Sequence, residues 1–95
     1  MRIRDLRNLG PRSEAMLKEI GIESVEALRR VGAVRAFVVM KRRGVTQSLN
    51  AFWAMVGALD PYPEGRDWRD VAHGDERLSL LLAVEQATTR GAVRL

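Results

Sequence analysis

With 95 residues, 46% of them hydrophobic and 29% charged, the chain suffices for one buried core and is too apolar for a disordered segment. The absence of cysteine and the single histidine exclude disulfides and leave almost nothing for a metal centre, so neither metal nor cofactor is expected. The net charge is +4, no apolar run approaches the roughly 18 residues that span a bilayer, and MRIRDLRNLG lacks the apolar centre of a secretory signal; a cytoplasmic, membrane-free protein is expected.

The charge is unevenly spread. Residues 1 to 50 hold eleven Lys or Arg against five Asp or Glu, a balance of +6, whereas residues 51 to 95 hold five against seven, a balance of −2. The basic first half suits either an anionic partner such as nucleic acid or an ordinary solvated surface.

In chain order, Ile3, Leu6 and Leu9 predict about two turns of helix ending at the turn Asn8-Leu9-Gly10. Pro11 opens a second helix where its missing N–H does no harm, and Met16, Leu17 and Ile20 mark its buried face. Gly21 is placed to end that helix in the left-handed conformation, with Ile22 folding back as the hydrophobic clamp. Ser24 is the expected N-cap of a third helix, in which Val25, Leu28 and Val31 form the apolar stripe before Gly32. A fourth helix follows, with Val34, Phe37, Val38 and Met40 inward. Lys41, Arg42 and Arg43 crowd its last turn before Gly44, where they complement the helix dipole; phosphate contact is the sharper alternative.

Ser48 is the expected N-cap of the fifth helix, where Leu49, Phe52, Trp53, Val56 and Leu59 make the strongest amphipathic pattern in the chain. Its other side, Ala51, Ala54, Gly57 and Ala58, is small enough for close helix approach or for a flat exposed face. DPYPEG, residues 60 to 65, reads as a turn cluster and the one credible linker. Asp67 is placed to cap a short turn carrying Trp68 and Val71, and Gly74-Asp75 starts a last helix with Leu78, Leu81 and Leu82 on one face, broadened by Leu80 and Val84. The tail from Thr88 to Leu95 has no periodic signal and is expected to fray. No segment alternates in polarity, so the chain is expected to form a single all-α domain over residues 1–95, a compact bundle of five or six short helices.

No Gly-rich phosphate loop, GxSxG, HExxH or cysteine nucleophile is present, so no catalytic residue and no enzyme activity is expected. Asp67, Asp70, His73 and Asp75 match no metal-ligand spacing and read as a solvated loop. The hairpin offers other chemistry. A helix N-terminus after glycine presents unpaired N–H groups to phosphate oxygens, here the amides of Arg12 and Ser13 with the Ser13 hydroxyl and the Arg12 guanidinium. Arg7, Asn8, Gly10, Arg12, Ser13 and Lys18 form the candidate nucleic-acid site, with Lys41, Arg42 and Arg43 as a secondary basic patch.

The spacing LxxLGPRSxxxLxxIGI, followed by SVEALRRVGA, resembles the helix-hairpin-helix class of non-specific DNA backbone binders. More closely, residues 3 to 85, with SLNAFWAMVGAL and then RDWRDV, resemble the C-terminal domain of the TfoX/Sxy family of bacterial competence regulators. The resemblance implies a compact helical domain in transcriptional control of DNA uptake genes, acting with a cAMP-receptor-type activator. Asn8-Leu9-Gly10 replaces the usual glycine pair, and Glu14 stands where a small residue is usual. Two-domain members carry another domain ahead of this one, while Met1 here precedes the motif almost directly, which fits a stand-alone version and a piece of a longer protein equally; an N-terminal TfoX-type domain on a separate chain is among the expected partners. The alternative function is a protein-interaction module docking a regulator, RNA polymerase or a second subunit, without touching DNA.

Overall fold

A computed structural model describes residues 1–90. Among them are a 3-10 turn, Ile3–Asp5, and six α-helices: α1 (Pro11–Glu19), α2 (Val25–Val31), α3 (Ala33–Arg42), α4 (Leu49–Leu59), α5 (Trp68–Val71) and α6 (Gly74–Thr89). The fold class is all-α, with no strand among the described residues.

Ile3, Leu6 and Leu9 recur every three residues, the repeat of a 3-10 rather than an α-helix. The backbone follows that repeat: Leu6 N–H donates to the Ile3 carbonyl and Leu9 N–H to the Leu6 carbonyl, both at 3.1 Å. All three side chains are buried. The expected two-turn first helix is therefore a single 3-10 turn followed by another tight turn, and the hairpin leading into α1 has an α-helix on one side only.

The glycine stops behave as their spacing predicts. Gly21 sits at φ +88, its N–H donates to the Lys18 carbonyl at 3.0 Å, and Ile22 N–H reaches back to Leu17 at 3.0 Å, a Schellman ending with Ile22 buried. Gly44 ends α3 in the same way, Val45 N–H donating to the Met40 carbonyl at 2.8 Å. Ser24 caps α2 by accepting from Ala27 N–H at 3.1 Å, and Asp67 caps α5 by accepting from Arg69 N–H at 2.8 Å. Ser48 holds the N-cap position of α4, but its side chain makes no capping bond.

α4 is the centre of the molecule. Every residue from Phe52 to Ala58 is buried, the small side included, so the close-approach reading of Ala54, Gly57 and Ala58 holds and the flat exposed face does not occur. The Phe52 ring stacks on Phe37 of α3 with centroids 5.0 Å apart, and each side chain contributes about 1.5–3 kcal/mol by leaving water. Leu49, expected inward, is 37% exposed at the helix's first turn.

Residues 60 to 65 are not a linker. Gly65 N–H donates to the Pro61 carbonyl at 2.6 Å, Arg66 N–H to the Gly57 carbonyl at 2.7 Å, and the Arg29 guanidinium lies 3.8 Å from the Tyr62 ring centroid. The prolines look like punctuation in sequence, yet Tyr62 and Arg66 moor the loop to α2 and α4. Arg66 also pairs with Glu76 of α6 through its two terminal guanidinium nitrogens, at 3.0 and 2.5 Å. The last helix turns inward only part of its expected apolar stripe. Val84 is buried with Leu80, Leu81 and Ala87 against the core, while Leu78 and Leu82 face out. Thr88 and Thr89 continue α6 rather than fraying, and residues 91–95 of the expected frayed tail lie outside the described residues.

Candidate nucleic-acid interface

The hairpin from Arg7 to Ser13 owes its shape to Asn8. Asn8 takes φ +70, the left-handed conformation its short amide tolerates, and Gly10 is extended at φ −141 before Pro11 starts α1. The turn is locked from behind. Asn8 Nδ2 donates to the Arg66 carbonyl at 2.6 Å and lies 3.4 Å from that of Ala54, and Asn8 Oδ1 accepts from Trp68 N–H at 3.3 Å. This bonding spans |i−j| of 46 to 60 residues, so no local pattern announces it. Gly57 lies directly beneath: a Cβ there would collide with the Arg66 carbonyl and the Asn8 amide.

The Glu14 N–H makes the first helical bond of α1, to the Gly10 carbonyl at 3.0 Å. Pro11 has no N–H, and the amides of Arg12 and Ser13 have no acceptor among the described residues, as expected for a first helical turn. The carboxylate one residue further on is neutralised. Arg4 holds Glu14 with Nε at 3.0 Å, a terminal guanidinium nitrogen at 2.8 Å and its own backbone N–H at 3.2 Å, and Arg2 stands 3.6 Å away. The hydrogen bonds from the Arg4 side chain, first, and then from its backbone hold the Glu14 carboxyl below the usual carboxylate range. Glu14 thus ties the 3-10 turn to α1 instead of standing bare at the helix mouth.

The other candidate residues divide. Arg12 is exposed at the mouth. Ser13 is half-buried and lines a narrow crevice with Met16, Met40, Ala51 and Met55, so its side chain belongs to the packing between α1, α3 and α4. Arg7 is exposed and reaches the Gly65 carbonyl at 3.4 Å, leaning on the loop that Asn8 fastens. Lys18 is exposed but lies about 120° around α1 from Arg12, at 100° per residue. It lines an open depression of about 300 Å³ with Arg2, Glu14, Glu23 and Ser24. Of the second patch, Lys41 lies 5.7 Å from the Phe37 ring centroid, Arg42 donates to the Thr88 carbonyl at 3.3 Å, and Arg43 is exposed at the C-cap. Lys41 and Arg42 stand in the last turn of α3, where cations complement the dipole.

Arg4 and Arg66 are the supports of the candidate site that sequence reading missed. Arg4 reaches Glu14 across ten residues and Arg66 reaches Glu76 across ten, beyond the three or four residue spacing that marks a helical ion pair. Glu76 is in turn held below the carboxylate range by its hydrogen bonds from Arg66. Among the described residues, no group of three or more His, Cys, Asp or Glu side chains is arranged to hold a metal ion. No helix of those residues is long and apolar enough to cross a membrane.

The TfoX C-terminal domain model matches residues 1–84. The DNA transformation protein TfoX of Haemophilus influenzae is 40% identical over 58 residues, which cover 61% of this chain and 27% of that protein. No solved structure matches the chain.

Proposed function

This chain belongs to the TfoX C-terminal domain family, and on that premise we propose that it is a non-enzymatic domain of a bacterial competence regulator that grips DNA backbone through the mouth of α1. The observation that carries this reading is the pairing of Arg12 with the open amides of Arg12 and Ser13 at a helix start whose first-turn carboxylate, Glu14, is already neutralised by Arg4 and Arg2. Unpaired N–H groups and the positive end of the dipole favour a phosphate oxygen there, and the guanidinium adds a charge-assisted bond. Such contacts fix position on a duplex without reading base identity. Arg7 and Gly10 flank the phosphate, Asn8 holds the turn that shapes the mouth, and the Ser13 hydroxyl contributes least because it lines the crevice. Lys18 and the patch Lys41, Arg42 and Arg43 add long-range attraction rather than contacts at this point.

Titrating a dye-labelled duplex at low and at physiological salt tests the reading. Binding should weaken steeply with salt, and Arg12→Ala should lower the slope of log K against log salt by about one, with a smaller loss for Lys18→Ala. Absence of binding at low salt, or binding unchanged in Arg12→Ala, refutes it. Protein partners belong to the same proposal at other surfaces: a regulator, RNA polymerase or a TfoX-type N-terminal domain.

A further inference from the structure

α6 is the longest helix, yet Val84 is the one side chain it buries below a tenth exposure among the described residues. Its outer face is apolar at the middle: Leu78 is 61% and Leu82 53% exposed. Asp75, Leu78, Leu82, Glu85 and Thr89 are spaced three, four, three and four residues apart and are all exposed, the seam that a helix presents to a second helix. Near its far end Leu82, Glu85, Gln86, Thr89 and Arg90 line an open depression of about 260 Å³.

The charges on this seam identify its occupant. Asp75 and Glu85 bracket the two leucines, and neither carboxylate has a cationic partner among the described residues, whereas Glu76, on the inner side, is taken by Arg66. A second copy of the chain fits badly. Antiparallel helices with the leucines interleaved set Asp75 against Glu85 of the other copy at both ends, and parallel helices set each acid against itself. An anionic surface, whether lipid or nucleic acid, meets the same acids. A helix with apolar side chains one turn apart and Lys or Arg on either side satisfies both the leucines and the acids.

We propose that the outer face of α6 is a docking surface for a basic amphipathic helix of a partner protein, with Leu78 and Leu82 as the apolar anchors and Asp75 and Glu85 as the flanking clamps. The surface shares no residue with the mouth of α1, so it stands independently of the DNA reading. Because all four side chains are exposed, their substitution leaves the core intact, which circular dichroism checks.

The test uses two dye-labelled synthetic helical peptides with the same leucine seam, one flanked by Lys and Arg and the other by Glu, titrated against the whole chain by fluorescence anisotropy. The basic peptide should bind saturably and lose affinity at least about tenfold both in Leu78→Ser/Leu82→Ser and in Asp75→Asn/Glu85→Gln, while the Glu peptide should not bind. Failure of the basic peptide to bind, equal binding of the two peptides, or binding indifferent to both double variants overturns the proposal. So does self-association by sedimentation that the leucine variant abolishes, which assigns the face to a second copy.

Discussion

α4 and α6 are both rich in apolar residues, and the fold uses them in opposite ways. α4 buries seven consecutive residues, Phe52 to Ala58, while α6, five residues longer, buries only Val84 to that degree. The difference lies in the small residues. Gly57, with Ala54 one turn before it, lets the Asn8 turn and the backbone at Arg66 settle onto α4, so a helix whose large side chains fill one face gains cover on the other. α6 has Leu78 and Leu82 at the corresponding outer positions, and nothing in the described residues covers them. Periodicity identifies that a helix has an apolar stripe; the neighbours decide which stripe is the core.

Removing the ring at the centre of α4 should have the largest effect. Phe52→Ala should cost about 3–5 kcal/mol in chemical denaturation, because Phe37 and Trp53 both pack against that ring and cannot collapse into the space together. A loss below about 1 kcal/mol would place the core elsewhere. The cover of α4 comes next. Asn8→Ala should cost about 1–3 kcal/mol, since it leaves the Arg66 carbonyl and Trp68 N–H without their partner and puts alanine at a left-handed φ. Asn8→Gly keeps the backbone freedom and should recover the part of that loss due to conformation alone.

A smaller, pH-dependent effect distinguishes the ion pairs that tie the periphery from the apolar centre. The folded-state carboxyl of Glu14 titrates below its ordinary value of 4.5, so its contribution is present above that value and fades as the pH falls through the lower folded one. The stability gap between the parent chain and Glu14→Gln should therefore narrow in acid below about pH 4.5, whereas the gap for Phe52→Ala should not. The smallest effect belongs to α6. Leu78→Ser and Leu82→Ser should each shift stability by no more than about 0.5 kcal/mol, and a loss of several times that would show that the outer face packs against the fold after all.

Much of this contrast was open to sequence reading and part was not. Helix ends set by local chemistry were legible: Gly21, Gly32 and Gly44 stop helices, and Ser24 and Asp67 cap them, because each acts within a few residues of itself. The stripe of α4 was legible for the same reason. The 3-10 turn was missed although the strict spacing of three in Ile3, Leu6 and Leu9 carries it. The stripe of α6 was legible as a broad one holding Leu80, Leu81 and Val84, but the outward turn of Leu78 and Leu82 was not, since LSLLLAV offers two overlapping stripes and only contact with α3 chooses between them. At the candidate site, Gly10, Pro11 and Arg12 could be placed from sequence. The inner support could not, because Asn8 to Arg66 and Arg4 to Glu14 join residues whose separation fits no local repeat.

The two surfaces, the mouth of α1 and the outer face of α6, can be separated in one nuclear magnetic resonance titration of the isotope-labelled chain with unlabelled duplex DNA at low salt. The amide signals of Gly10, Arg12 and Ser13 should move first and those of Leu78, Leu82 and Glu85 should stay in place. Unmoved hairpin amides, or shifts concentrated on α6, would contradict DNA binding at the mouth of α1.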